Sequence, residues 1–419
     1  MLLAHPGFVP DARSAASSRG VPGIRILSLN VANESTEASD FEAGAIAAAP
    51  GIIEALTKPL TTEEKSPKPR DAKPPRIAFQ GNYEAVNRFY YRNGWTDGLP
   101  IVPPTEEAVA EMLTGTDLPA DHVVAKVIPR LGKATVEKIA INAVMAGALP
   151  THMPVLIAAV QAFDDQRTRF DTFEVSTGSW APFFAVNGPI RQDIHINFSS
   201  GALSPGNIAN SAIGRAVGLI VKNIGGARKA IEDMGVIGNP SKYSLVIGEN
   251  EEESPWEPLQ VERGFRKEDN TLTVFFPNSF TQSVPMGTDA DGIARTLANL
   301  QPWSMSCLIV IPSHAKILAD AGWTKEKLKQ FVLENASSGT PARTQKDANA
   351  SEVLSAPPRA YNTGELMVIV AGGPGAWMAA LRSVGGIQNS FVTKKIELPR
   401  NWEELVKKYR NIVPIYTEY

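Results

Sequence analysis

Hydrophobic positions along this chain change their period several times, and each change marks an element. From Ile208 onward, Ile208, Ala209, Ala212, Ile213, Ala216, Val217, Leu219 and Ile220 recur at about 100° per residue, which predicts a helix with one broad buried face. Gly225-Gly226 supply its stop, and the loop 199–207 before it is too rich in Gly, Ser and Pro to continue a strand. Asn207 stands in the N-cap position. The other side of this helix carries Ser211, Gly214 and Gly218, flanked by the cations Arg215 and Lys222. An interior glycine costs roughly 1 kcal/mol relative to alanine, so the small stripe predicts close approach of another backbone or of a ligand.

Upstream, the segment LGKATVEKIAINAVMAGALPTHMPVLIAAVQAF reads as a helical hairpin, with Thr135 as N-cap, Gly147 as stop and Pro154 near the second start. Both helices are apolar nearly all round, hence interior, and His152 falls in the turn, as a solvated or capping residue. Two short apolar runs, 308–311 and 367–370, each lead into a turn of small residues. The first turn is Pro312-Ser313-His314; the second is Ala371-Gly372-Gly373-Pro374-Gly375, with a helix expected from Ala376. If the two strands are parallel neighbours, both loops emerge at the carboxyl edge of the sheet, where open α/β sheets collect ligands. VVAKVI, KYSLVI and TLTVFF add further strands. The fold class is α/β (or α+β), a mixed sheet with parallel strand-loop-helix units and a buried helical hairpin.

The same patterning divides the chain. Residues 1–60 hold a strand at 23–29 and a helix at 41–56, too little to bury a core alone, so this piece should dock on the main body or on a partner chain. Residues 61–80, with Lys65, Lys68, Arg70, Lys73 and several prolines, read as a linker, and 82–419 as the main domain. Within it, 337–358 is polar and reads as a mobile surface loop or lid.

Composition narrows the classes. At 419 residues and 43% hydrophobic content there is ample material for a core, and 41 Lys+Arg against 44 Asp+Glu leave a net charge of -3. That balance favours neither nucleic acid nor an anionic membrane, and no run approaches the roughly 18 apolar residues of a membrane span. Cys307 is the only cysteine, which rules out an intramolecular disulfide and a multi-cysteine metal site and suits a reducing, cytoplasmic setting. It lies in the apolar run CLIVI, so the thiol should be buried and inert. Residues 1–20 are Ser/Ala-rich with Arg13 and Arg19, weakly like an organellar transit peptide, which gives a mitochondrial location as the minor reading; Pro6, Pro10 and Asp11 interrupt any amphipathic helix there. The run 249–253 reads as a solvated acidic loop beside Trp256; its spacing matches no cation-binding loop, and no metal is expected. No motif names a cofactor.

Chemistry is carried by loops that deliver unpaired N–H groups to helix starts, an arrangement suited to a phosphate or carboxylate. The expected ligand-binding residues are Asn187, Ser199, Ser200, Gly201, Gly206, Asn207, Arg215, Gly372, Gly373 and Gly375, converging on one anion pocket. His314, directly after a buried strand, and Lys133 are the expected proton-transfer groups. The spacing matches neither a P-loop nor the dinucleotide fingerprint.

The stretches TDGLPIVPPT, ATVEKIAINAVMAG, SPGNIANSAIGRA, GENEEESPWEPLQVERGF and VAGGPG, spread over residues 82–386, resemble a bacterial and fungal family associated with UGSC-type proteins, which look like cysteine or selenocysteine redox proteins. GVPGIRILSLN followed by IIEALTKPLTTEE looks like the tail of a UGSC-type domain, which would make the chain a truncated fusion. The chain departs from that pattern in having no Cys-Gly-Ser-Cys or equivalent, and Ala148 stands where relatives are expected to carry cysteine. Two functions follow as expectations. One is an enzyme domain acting on a small anionic metabolite by carbon-heteroatom bond cleavage, hydrolysis or reduction; the other is a non-catalytic subunit that docks a UGSC-type thiol or selenol partner.

Overall fold

Strands that are mostly apolar along their length are buried on both faces, and the central strands of this chain are used that way. The computed structural model describes residues 1–30, 38–67, 75–300, 305–336, 363–384 and 390–412, so the expected lid at 337–358 lies outside the described residues. The strands are β1 (Leu2–Ala4), β2 (Ile26–Ser28), β3 (Val123–Val127), β4 (Gly132–Thr135), β5 (Phe183–Asn187), β6 (Val246–Gly248), β7 (Thr271–Phe275), β8 (Ser279–Ser283), β9 (Met305–Val310), β10 (Leu366–Val370), β11 (Met378–Ser383) and β12 (Val392–Lys395). Two four-stranded sheets form the body, in the orders β12-β7-β5-β6 and β10-β9-β11-β8.

The two sheets share one connectivity. Each is built on a parallel pair, β5 with β6 and β9 with β10, and each adds an antiparallel third strand, β7 on β5 and β11 on β9. The fourth strand is exchanged: β8 follows β7 in the chain but pairs with β11, and β12 follows β11 but pairs with β7. The main body is therefore one interlocked unit. The expectation that 308–311 and 367–370 are parallel neighbours holds, with Leu308 opposite Val368.

Alternation along the strands builds four layers. Phe183, Ala185, Ile247 and Phe275 of the first sheet meet Cys307, Ile309, Met367, Ile369 and Leu381 of the second in one shared core. The intervening residues face outward into helices. Phe184, Val186, Leu272 and Val274 pack against the helices Val136–Ala146, Met153–Phe163 and Ile208–Ile220. Leu308, Val310, Val368 and Ala380 pack under Ala290–Leu300, Pro312–Asp320 and Lys325–Asn335. The order helix, sheet, sheet, helix puts both faces of the central strands out of water, while the edge strand β8 stays partly exposed.

The hairpin forms as its pattern predicts. Thr135 accepts from the Lys138 N–H as N-cap, and Gly147 ends the first helix in the left-handed region. His152 is wholly buried rather than solvated; its Nδ1 accepts the Leu149 N–H at 3.1 Å, and burial holds its pKa down to about 3, so the ring is a neutral cap. In the helix Ile208–Ile220, Asn207 occupies the N-cap position but its side chain makes no cap hydrogen bond. The small stripe does meet a neighbour: a Cβ on Gly214 would lie 2.6 Å from Ser244 Cα and 2.2 Å from its Oγ.

Other expectations are corrected. No helix starts at Ala376; the segment enters β11, held between β9 and β8 with Met378 and Ala380 on one face and Ala379 and Leu381 on the other. Its Ala and Leu content favours a helix locally, and the open sheet position overrides that preference. Residues 1–20 form β1 and the helix Val9–Ser18, in which Pro10 sits in the first turn where no N–H is needed and Asp11 faces the helix N-terminus. β1 pairs in parallel with β2. Part of the expected linker, Thr62–Lys65, is a helical turn closed by a capping box between Thr61 and Glu64. It is tied to β2 by Arg25, which pairs with Glu64 at 2.8 Å and also donates to the carbonyls of Ala55, Lys58 and Pro59. Residues 68–74 of that linker lie outside the described residues. No helix among the described residues is long and apolar enough to cross a membrane.

Two outcomes follow from this packing. Gly214→Leu should cost stability well beyond Ala212→Ser, by about 1–3 kcal/mol or more of overpacking against Ser244; equal urea midpoints would show that the helix faces open space there. Glu174 is buried, and that burial, with Asp233 adding and Lys242 opposing, pushes its pKa up to about 8. A carboxyl raised from an ordinary value near 4.5 binds more protons folded than unfolded between about pH 4.5 and 8, so its contribution is lost as pH rises through that window. Glu174→Gln should therefore raise the melting temperature at pH 8 relative to wild type and flatten the decline, as thermal melts across pH would record.

Candidate functional site

The carboxyl ends of the parallel strands are where side-chain packing stops and loops must leave the sheets. At the β9/β10 edge the two loops singled out in the sequence meet. The Gly372 N–H donates to Phe198 O at 2.9 Å, and a Cβ on Gly373 would come within 1.8 Å of Ser200 Oγ. Only glycine fits at 373. Between the loops runs a groove of roughly 280 Å³, floored by Ile247, Ile309, Ile311 and Ala371 and walled by Phe280, Gln282 and Trp377. Trp377 is 60% exposed and Phe280 47% exposed, so an aromatic rim stands open beside the glycines.

The polar equipment of the groove is mostly backbone. Gly373 and Gly375 keep their amide N–H groups free of any hydrogen bond among the described residues, and the hydroxyls of Ser200 and Ser204 are likewise unpartnered. Among the described residues no acid, base or thiol lines it. Such a surface can hold an apolar body against aromatic rings and an acceptor atom against N–H and O–H donors.

Of the residues expected to bind ligand, Ser200, Gly201, Gly372, Gly373 and Gly375 line this groove. Ser199, Gly206 and Asn207 flank the loop without lining it. Arg215 is elsewhere: its Nε and Nη2 pair with Asp97 at 2.8 and 3.0 Å, and Nη2 also donates to Pro100 O at 2.7 Å. Lys222 donates to Thr96 O. Both cations beside the small stripe therefore fasten the 95–100 turn, and the single anion pocket with Arg215 in it does not form.

The expected proton-transfer groups are also apart from the groove. Lys133 is exposed on the β3/β4 hairpin. His314 lies in the first turn of Pro312–Asp320, buried, with Nδ1 lacking a hydrogen-bond partner and its pKa lowered by burial. Its ring is a neutral interior imidazole. What the sequence left unmarked is the pair of aromatic walls. The signal for Trp377 was its place directly after a glycine loop; Phe280 and Gln282 arrive on β8 from a distant part of the chain and carried none.

At the β5/β6 edge the acidic run is not a solvated loop. Glu249 and Asn250 are buried, and Glu249 is a hub: Oε2 accepts from Asn187 Nδ2 at 2.6 Å and from the Leu259 N–H at 2.7 Å, and Oε1 faces Lys325 Nζ at 3.3 Å. Asn187 also donates to Glu251 at 3.1 Å, which ties its amide nitrogen into this interior network, while its buried Oδ1 has no hydrogen-bond partner among the described residues. Arg191, itself buried, pairs with Glu251 and Glu252, each at 3.0 Å. Within the run, Glu252 and Glu253 are exposed. The Asn250 N–H bonds to Val370 O at 2.7 Å, so this hub abuts the end of β10 and links the two sheet edges. Cys307 faces the core between the sheets, wholly buried, and desolvation with Glu249 nearby drives its thiol pKa well up. Among the described residues no group of three or more His, Cys, Asp or Glu is placed to hold a metal ion.

A broader trough of roughly 960 Å³ lies in the N-terminal unit, but Arg25 and Glu64 on its wall are already bonded to each other. That pair, with Lys58 and Glu54 bonded at 3.0 Å beside it, holds the unit together.

The hub makes a stability test. Lys325→Met removes the cation from a carboxylate with no exposed surface, which should cost roughly 3–5 kcal/mol in urea unfolding; a loss below about 1 kcal/mol, the level of a surface pair, would show that Glu249 does not depend on it. Comparison of the chain with protein-family models, with curated proteins and with solved structures finds no match.

Proposed function

We propose that this protein binds a small metabolite in the groove between the 200–204 and 371–375 loops, with an apolar body against Phe280 and Trp377 and an acceptor-rich end, a carboxylate or phosphate, on the free N–H groups of Gly373 and Gly375. The observation that carries this reading is the meeting of those unpaired backbone donors with an open aromatic rim at the carboxyl edge of a parallel strand pair. Binding sites favour that position and that mixture of an apolar lining with a few fixed polar groups. Recognition by backbone donors suits an anion without needing a cation, since oriented N–H groups carry partial positive charge.

The enzymatic expectation is retained in this form only: the metabolite would be a substrate whose proton transfers are served by its own groups or by water, because among the described residues no titratable side chain lines the groove. A second reading rests on a specific observation, the enclosure of the only thiol. Cys307 is wholly buried between the sheets, so redox chemistry of the UGSC type would have to come from a partner that presents its own thiol or selenol to ligand held here. Turnover by the purified chain supports the first reading, and turnover only after mixing with a cysteine-bearing partner supports the second.

A ligand seated on Trp377 must change the fluorescence of that indole. Screening aromatic and aliphatic carboxylates and phosphates should give a saturable quench and a rise in melting temperature. The quench should vanish in Trp377→Phe, whose ring is largely exposed, and binding should be lost in Gly373→Ala, whose methyl collides with Ser200. Ligands that stabilise Gly373→Ala as much as wild type would place binding elsewhere.

A further inference from the structure

Where the N-terminal unit meets the main body, three arginines from distant parts of the chain gather around a cleft of roughly 440 Å³. Arg13 comes from the helix Val9–Ser18, Arg130 from the turn between β3 and β4, and Arg228 from the segment after Gly226. Ser14, Ser17 and Ser18 complete the rim from the helix side.

One carboxylate organises two of the guanidiniums. Glu232, whose side chain is fully buried, accepts at Oε1 from Arg130 Nε and Nη2 at 2.9 and 2.6 Å, from Arg228 Nη2 at 2.6 Å and from Ser14 Oγ at 2.6 Å. Its Oε2 takes Arg228 Nε at 2.9 Å and the Arg228 N–H at 3.1 Å. The Arg130 N–H is itself fixed to Gly225 O at 2.8 Å. Both guanidiniums are thus held in place, yet the Nη1 end of each makes no hydrogen bond, and Arg13 makes none at all among the described residues. The other nearby acid, Asp11, bonds to none of the three arginines. Three cations therefore stand against the shared Glu232 carboxylate and the nearby Asp11, with the outer ends of two guanidiniums preset and one arm free among the described residues. A fork of parallel N–H donors matches a tetrahedral oxyanion, and several forks around one point match a phosphate dianion better than a carboxylate.

We propose that this cleft is a phosphate-binding site, taking the phosphate group of a phosphomonoester or inorganic phosphate between Arg13, Arg130 and Arg228. The ligand bridges the helix Val9–Ser18 to the main body, so occupancy latches the N-terminal unit. The site shares no residue with the groove described above and stands or falls independently of it.

Calorimetric titration of the full chain, with ionic strength held constant by chloride, tests this. Inorganic phosphate and glycerol 3-phosphate form two arms: tighter binding of the ester identifies an organic phosphate as the ligand, and equal or tighter binding of the free ion identifies phosphate itself. Arg13→Gln should weaken either arm about tenfold or more, the loss of one charge-assisted fork. Its melting temperature without phosphate should equal that of wild type, because Arg13 has no hydrogen-bond partner among the described residues to lose. Bound phosphate should also slow tryptic cleavage after Arg13 and Arg19 in the wild type. Absence of saturable binding in both arms, or equal affinity in Arg13→Gln, overturns the proposal.

Discussion

Packing two sheets face to face is the constraint on which the rest of this structure depends. Every central strand then has a partner layer on both sides, so its residues are buried on both faces, and Phe183 to Val186 in β5 or Leu308 to Val310 in β9 are apolar for that reason. Burial of this kind, at about 25 cal/mol per Å² of apolar surface, is the main term that holds the layers together. It also forces polar function out to the strand ends. The exchange of β8 and β12 between the sheets adds a covalent reason for unity: neither sheet is complete without a strand from the other half of the chain.

The edge at which β5, β6, β9 and β10 end is where that constraint is relaxed, and the two halves use it differently. The β5/β6 edge is filled by side chains: Glu249 takes hydrogen bonds from Asn187 and Lys325 in an interior that would otherwise leave charges unpaired. The β9/β10 edge is filled by glycine, which leaves space and unpaired backbone donors. One edge has been closed into a structural hub that pins Asn250 to Val370, while its counterpart has been kept open. A related contrast appears at the N-terminal junction, where Glu232 fixes two arginines while their outer ends stay unpaired.

What was legible in the sequence is what depends on neighbours a few residues away. The helical hairpin, the helix from Ile208 and the strands 308–311 and 367–370 follow from periodicity, caps and glycine stops, all local signals. The loops 199–207 and 371–375 were recognisable as sites of close backbone approach for the same reason. Roles set by distant partners were not. Arg215 looked available because Asp97, which takes its charge, lies 118 residues away. Glu249 looked solvated because the lysine that accompanies it inside is 76 residues further on. β11 looked helical because its composition is, and only the gap between β9 and β8 makes it a strand. His314 followed a buried strand as expected, but the helix start turned its ring inward.

The groove itself is a consequence of how the halves interlock. Its 200–204 side belongs to the crossover between β5 and β6 of the first sheet, and its glycine side to the loop after β10 of the second. Phe280 and Gln282 stand on β8, which pairs with β11 but is continuous in the chain with β7 of the first sheet. A ligand there would touch segments from both halves at the point where their sheets join. Its binding energy would then act across the sheet interface rather than on one loop, and stabilisation by a ligand would be felt by the whole cooperative unit. Glycine at position 373 is central to this arrangement, because any side chain there would push the Ser200 loop away and part the two halves of the site while leaving the sheets beneath them packed.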